Sequence, residues 1–183
     1  ASKNMPTVSA IIPTHNRART VLRALHSVYA QRVPVNEVIV IDDGSSDDTV
    51  ERIRVEFPEV VLICQNQHGV SHARNRGIDA ARSEWLAFLD SDDEWLPIKV
   101  ETQLNAMRDY PTFRIYHSNE IWIRNGRRVN PMDKHKKYSG WIFEHCLPRC
   151  TISPSSVLLH RSVIEEFGNF DESLPVCEDY DLW

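Results

Sequence analysis

Apolar residues run along this chain in two alternating rhythms. Short, largely apolar runs rich in Val and Ile stand at residues 8–12, 38–41 and 60–63, and an aromatic one at 85–89; each gives way to polar residues. Runs of this length predict strands buried on both faces. Between them the apolar positions recur at helical spacing, as in Val21, Leu22, Leu25, Val28 and Tyr29, which predicts an amphipathic helix. A short helix is predicted over 48–57, with Ser46 or Asp48 as its N-cap, and another over 71–82. A fourth opens near Pro97, a residue favoured in a first helical turn, and runs to 110. Strand and helix alternate four times with short connections. That pattern predicts the α/β class: an open, mostly parallel central sheet flanked by helices on both faces.

Beyond residue 110 the rhythm changes. Short strands are predicted at 114–118 and 120–124, and Asn125-Gly126 is a hairpin signal between Trp122-Ile123-Arg124 and Arg127-Arg128-Val129. Residues 131–139 are polar and basic, with Lys134, His135, Lys136 and Lys137, and read either as a solvated connection or as a substrate flap. A strand at 155–160 leads into a short helix at 161–167 that Gly168 closes. The chain reaches Trp183 at the opening of a further helix, so the domain is expected to continue past it; Ala1 to Asn4 are expected to precede a native start at Met5. A length of 183 residues suits one domain, with residues 1–110 as one half and 111–183 as a smaller second half.

Charge and composition narrow the function. The net charge is −5 with Lys and Arg scattered, which argues against a nucleic-acid partner. An anionic ligand would therefore need a metal or particular arginines to neutralise it. No apolar run approaches the roughly 18 residues of a membrane span, and no apolar signal segment opens the chain. Four cysteines lack disulfide spacing, so a reducing cytoplasmic setting is expected, peripheral to a membrane in the full-length protein if it meets one. His145-Cys146 with Cys150 reads as core or surface rather than metal centre, because no second ligand pair follows.

The chemistry gathers where strands end. Trp85 to Leu89 leads straight into Asp90, Asp92 and Asp93. Clustered carboxylates repel one another, and a cation relieves that repulsion; hard oxygen ligands suit Mg²⁺ or Mn²⁺. A helix cap with a polar turn is the alternative. In open α/β sheets ligands bind beyond the carboxyl ends of the strands, and the unusual polar residues all fall there. Thr14, Asn16 and Arg17 follow the first strand, Asp42 and Asp43 the second, and Gln65 and His68 the third.

Five segments, in order, resemble one family: Val8 to Arg17, Glu37 to Ser46, Ala73-Arg-Asn-Arg-Gly77, Phe88 to Trp95, and Glu178-Asp-Tyr-Asp-Leu-Trp183. They look like the family 2 glycosyltransferases with a GT-A fold, over essentially the whole chain. The resemblance implies transfer of a sugar from a nucleotide diphosphate sugar, most simply a UDP-sugar, to a hydroxyl of a glycan, lipid or other acceptor. It implies inversion at the anomeric carbon and a Mn²⁺ or Mg²⁺ cofactor, as in polysaccharide biosynthesis. By the same resemblance Pro13, Thr14, Asn16 and Arg17 form the first nucleotide-contacting loop. Asp43 accepts from the base, Asp90 and Ser91 contact the nucleotide sugar with Asp90 near the metal, and Asp92 ligates the metal. Arg74 is either a fixed cation for the phosphates or half of a surface helix pair. Asp179 resembles the general base, with Glu178 its rival. Trp141 and Trp183 either stack on ligand or belong to the core. The rival readings are a sugar nucleotidyltransferase, which needs a Gly-rich loop and Lys where this chain has Pro13 to Arg17, and a phosphatase, whose Asp pair follows the first strand. From another class comes a module that holds nucleotide without chemistry.

Overall fold

The computed structural model describes residues 5–117, 122–124, 127–129, 154–170 and 172. Its elements in chain order are β1 (Val8–Thr14), α1 (Ala18–Tyr29), β2 (Glu37–Asp43), α2 (Thr49–Glu56), β3 (Val61–Gln65), α3 (Val70–Ala80), β4 (Trp85–Phe88) and α4 (Lys99–Asp109). Then follow β5 (Ile115–His117), the hairpin strands β6 (Trp122–Arg124) and β7 (Arg127–Val129), a 3₁₀ turn at Pro154–Ser156, β8 (Val157–His160) and α5 (Arg161–Phe167).

Six strands form one sheet in the order β3-β2-β1-β4-β8-β5. The first four are mutually parallel, while β8 runs antiparallel to both β4 and β5. The sheet is thus mostly parallel, and the predicted strand at 155–160 completes it with reversed polarity. Arg124 faces Arg127 in the β6–β7 ladder, a register that fits the two-residue hairpin expected there.

Side-chain alternation explains why the helices cover both faces. Val8, Ala10, Ile12, Val38, Val40, Ala87 and Leu89 pack with Val21, Ala24, Leu25 and Val28 of α1. The other face carries Ile11, Ile39, Ile41, Leu86 and Phe88 against Ala73 and Ile78 of α3 and Val163 and Ile164 of α5. The middle of each central strand is therefore almost wholly apolar, Ser9 of β1 being the exception, as burial on both faces requires. The spacing of Val21, Ala24, Leu25 and Val28 puts them on one stripe of α1, all buried.

Several boundaries differ from the sequence reading. Asp42 and Asp43 are the last residues of β2, paired with Cys64 and Gln65; the ladder continues past the apolar run because β3 supplies partners. The α2 cap is neither Ser46 nor a bonded Asp48. Asp48 occupies the cap position, but its carboxylate accepts from Arg52 Nε at 2.6 Å, one turn on, and Asp47 Oδ1 accepts from the Thr49 amide at 3.0 Å instead. Pro97 lies in a turn ahead of α4, its carbonyl accepting from the Arg32 amide at 2.9 Å. Ser155 and Ser156 belong to the 3₁₀ turn, and the strand begins at Val157. The basic 131–139 segment, Trp141, Glu178, Asp179 and Trp183 lie outside the described residues.

Helix α3 lies close against the sheet at Gly77. A Cβ there would sit 2.3 Å from Ile11 Cγ2 and 2.8 Å from Ile41 Cδ1. Helix propensity favours Ala over Gly by about 1 kcal/mol, but Ile11 is β-branched and held in a central strand, so its methyl has little freedom to yield. Overpacking of this kind costs about 1–3 kcal/mol. Gly77→Ala is expected to lower unfolding stability by up to about 2 kcal/mol net of the propensity gain, read as a lower urea midpoint at unchanged slope.

Candidate active site

The chain leaves β1 for β2 on one side, while β4 pairs with β1 on the other. Loops that follow β1 and β4 therefore diverge, and the crevice between them is the topological switch point at which open α/β sheets bind ligands. A cleft of about 200 Å³ opens there. Pro13, Thr14 and Arg17 reach it from β1, Asp43 from β2, and Asp90, Ser91 and Asp92 from β4. Seven of the residues singled out in the sequence are thus brought together. His15, Gln67, Gly69, Val70 and Ala73 complete the lining. The sequence reading gave none of these five a role; His15, Gln67 and Gly69 lie in loops after strand ends, and Val70 and Ala73 lie in the first turns of α3.

Thr14 ends β1 and is buried, and its hydroxyl has no hydrogen-bond partner among the described residues. A buried polar atom of this kind costs free energy unless a ligand or water satisfies it. Asn16 behaves differently from the expectation. It is exposed, with φ +51°, a conformation Asn tolerates better than most residues. Its Oδ1 accepts from the Ser46 amide at 2.7 Å and the Asp47 amide at 3.3 Å, and its own amide donates to Ser45 Oγ at 2.8 Å. Asn16 therefore fixes the β2–α2 loop and is not part of the cleft lining.

Asp43 is buried at the end of β2. Its Oδ1 accepts from Gln65 Nε2 and the His68 amide, both at 2.8 Å, and its Oδ2 from the Gly69 amide at 2.9 Å. The carboxylate thereby shapes the β3–α3 loop, whose Gly69 needs φ +93°. His15 Nδ1 lies 2.8 Å from the Asp43 carbonyl. A carboxylate has about four acceptor positions, so Oδ2 keeps acceptor capacity, and Asp43 lines the cleft.

Arg74 corrects one alternative: it is not a surface helix residue. Its guanidinium is 3% exposed and donates from Nη2 to Asp90 Oδ1 at 2.7 Å, against a 15% exposed Asp90. It also lies 5.5 Å from the centroid of the Phe170 ring, and Phe170 packs edge-on against Phe88 of β4. Burying a charge is tolerable only with a partner of this kind. Asn75, next to it, accepts from the Phe170 amide at 2.9 Å and donates to the Phe170 carbonyl at 2.9 Å and to Glu172 Oε1 at 2.8 Å.

The three carboxylates after β4 divide their work. Asp90 is held by Arg74, Asp93 accepts from Ser155 Oγ at 2.8 Å, and Asp92 lines the cleft, half-buried. Among the described residues no three His, Cys, Asp or Glu side chains gather into a ligand cage. Oxygen ligands alone, with one or two carboxylates at the mouth of a cleft, fit a hard divalent cation that completes its shell with substrate phosphates. The donor set therefore fits Mg²⁺ or Mn²⁺.

Comparison with known proteins bears on the family and the fold. A family profile described as Glycosyl transferase family 2 matches residues 9–168. The Escherichia coli protein WfgD, a UDP-Glc:alpha-D-GlcNAc-diphosphoundecaprenol beta-1,3-glucosyltransferase, is 32% identical over 96% of this chain and 68% of its own length. The chain spans 58% of the length of a rickettsial glycosyltransferase that it matches at 30% identity. Among solved structures, S. aureus TarS 1-349 in complex with UDP-GlcNAc superposes with a TM-score of 0.69 at 22% identity, covering 87% of this chain and 47% of that one. The mannosyltransferase PcManGT from Pyrobaculum calidifontis, in complex with GDP-Man and Mn²⁺, gives 0.69 at 21% identity, over 98% and 51%. At such identities the likeness is one of fold: the sheet and its helical layers are of the GT-A type.

Asp43→Ala is expected to strand three donors, Gln65 Nε2 and the amides of His68 and Gly69. The loss should be about 1 kcal/mol of stability, the low end of the scale for unpaired donors because these three are only partly buried. Thermal unfolding gives the loss, and faster amide exchange confined to residues 68–69 assigns it to the loop.

Proposed function

This chain belongs to glycosyl transferase family 2, and on that premise we propose that it moves a sugar from a uridine diphosphate sugar to an acceptor hydroxyl, inverting the anomeric carbon with a divalent cation on the diphosphate. The observation that carries the reading is the cleft at the switch point, where Thr14, Asp43 and Asp92 converge from three different strand ends. The UDP-glucose donor in the name of WfgD and the UDP-GlcNAc bound to TarS support a uridine nucleotide. The diphosphoundecaprenol acceptor of WfgD supports a lipid-linked glycan as acceptor. The Mn²⁺ of PcManGT supports the cation.

Each residue has a task under this reading. The remaining acceptor position of Asp43 takes a single N–H, which suits the imide edge of uracil. The unsatisfied Thr14 hydroxyl is there for a nucleotide oxygen. Arg17 adds positive charge at the cleft of a protein with a net charge of −5. Asp92 supplies a carboxylate oxygen to Mg²⁺ or Mn²⁺, and Asp90, kept in place by Arg74, stands beside it. When bound, the cation offsets the negative charge that builds on the leaving diphosphate. The acceptor oxygen attacks the anomeric carbon, the bond from that carbon to the β-phosphate oxygen breaks, and the bonding pair leaves with UDP. The acceptor proton passes to a carboxylate. Asp179 is the proposed base and Glu178 its rival; both assignments rest on the motif Glu178-Asp-Tyr-Asp-Leu-Trp183.

Two measurements test this. UDP affinity by calorimetry is expected to rise on adding Mn²⁺ or Mg²⁺, and Asp92→Ala to remove the rise while leaving uridine binding intact. Equal affinity in EDTA and in Mn²⁺ would refute the metal. With saturating acceptor, Asp179→Asn is expected to slow transfer about a hundredfold, the usual scale for a general base, at unchanged donor affinity. Near-normal transfer by that variant with Glu178→Gln inactive would move the base to Glu178.

A further inference from the structure

We infer that Ser155 is a positioning residue for the carboxylates of the acidic turn, and that its hydroxyl sets how well the site takes a cation-bound diphosphate. The inference rests on the metal reading above. Across the turn from Asp90 to Asp93 the Asp93 amide donates to the Asp90 carbonyl at 3.0 Å. A single hydroxyl then holds both ends. Ser155 Oγ accepts from the Asp90 amide at 3.0 Å and donates to Asp93 Oδ2 at 2.8 Å. A serine hydroxyl is both donor and acceptor, so one atom does what two side chains would otherwise do.

Ser155 is itself fixed from below. Its carbonyl accepts from Trp95 Nε1 at 3.2 Å, and the neighbouring Ser156 carbonyl accepts from Gln103 Nε2 at 2.9 Å, a buried bond. Trp95 is buried, its amide donates to Ser27 Oγ at 3.0 Å, and Lys99 Nζ lies 4.1 Å from the centroid of its ring. The 3₁₀ turn before β8 is thus tied to the floor of the acidic stretch from a point some sixty residues further along the chain.

The consequence concerns Asp92. Asp90 is anchored through its side chain by Arg74 and through its amide by Ser155, and Asp93 has its carboxylate on Ser155 rather than in the cleft lining. Both neighbours of the Ser91-Asp92 pair are pinned, so Ser91 and Asp92 are presented to the cleft at a set height. Removing the hydroxyl frees the Asp90 amide and leaves Asp93 without that donor. The turn that carries Asp92 then loses one tie at each end. Outer partners that orient metal ligands commonly contribute ten- to a hundredfold in metal affinity.

The test uses Ser155→Ala and Ser155→Thr beside the wild type, with three readouts. The first is amide exchange at Asp90 by NMR without nucleotide or metal. The second is UDP affinity with Mn²⁺ and with EDTA, and the third is uridine affinity. Ser155→Ala is expected to expose the Asp90 amide, to cut the Mn²⁺-dependent gain in UDP affinity about tenfold, and to leave uridine binding unchanged. Ser155→Thr, which keeps the hydroxyl, is expected to restore protection and most of the gain. A wild type without any Mn²⁺ gain would refute the metal reading itself. A full gain in Ser155→Ala, or an Asp90 amide as protected as before, would overturn the role of Ser155 alone. A fall in uridine affinity equal to that for UDP would show general loosening of the fold and would equally overturn it.

Discussion

A strand hydrogen-bonded along both edges and buried on both faces has no place for reactive side chains until it ends. β1 is such a strand, with β2 on one edge and β4 on the other. Its one internal polar side chain, Ser9, is spent on Glu37, and its hydroxyl accepts from the Ser83 amide. Only at Thr14 does the strand reach a polar environment. β2 and β4 obey the same restriction, and so their chemistry also appears at their carboxyl ends. Because the chain crosses from β3 on one side of β1 to β4 on the other, these ends border a crevice rather than a packed edge.

α3 packs against β1 and β2, lines the cleft with Val70 and Ala73, and joins two parts of the chain that are distant in sequence. Gly77 lets its backbone lie against Ile11 and Ile41. One turn earlier, Arg74 takes Asp90 on one side and the Phe170 ring on the other, while Asn75 grips the Phe170 backbone by both its amide and its carbonyl. A buried ion pair of this kind adds little net stability, because desolvation offsets the attraction. Its effect is on geometry: Asp90 has one place to be, and the segment after α5 is fastened to the same helix.

The acidic residues are consequently of two kinds. Asp42 accepts from Ser45, Asp47 caps α2, Asp48 pairs with Arg52 and Asp93 accepts from Ser155. These carboxylates build loops. Asp92 lines the cleft, and Asp43 keeps acceptor capacity after organising the β3–α3 loop. A protein that binds a diphosphate gains from this division. Loop-building carboxylates hold the chain's own donors, and Asp43, Asp90 and Asp92 line the cleft.

What the sequence determined by itself was everything that depends on local period. Apolar runs specified the central strands, because burial on both faces leaves no alternation to read. The stripe of Val21, Leu25 and Val28 specified α1. The order of strand, loop and helix was enough to collect Thr14, Asp43 and Asp92 at one edge, and the family resemblance followed from residues at those ends. What only the tertiary structure decided was partnership. Arg74 on a helix reads equally well as a surface cation; burial under Phe170 and beside Asp90 makes it an anchor. Asn16 reads as a ligand contact, yet the β2–α2 loop claims its amide oxygen. Ser155 has no local signal at all, since its two partners stand 65 and 62 residues away. The polarity of β8 was equally hidden, because an apolar strand pairs in either direction and the choice falls to the connections that deliver it. Periodicity is a property of neighbours along the chain, whereas hydrogen-bond partners are assigned by packing, and packing exists only once the sheet has formed.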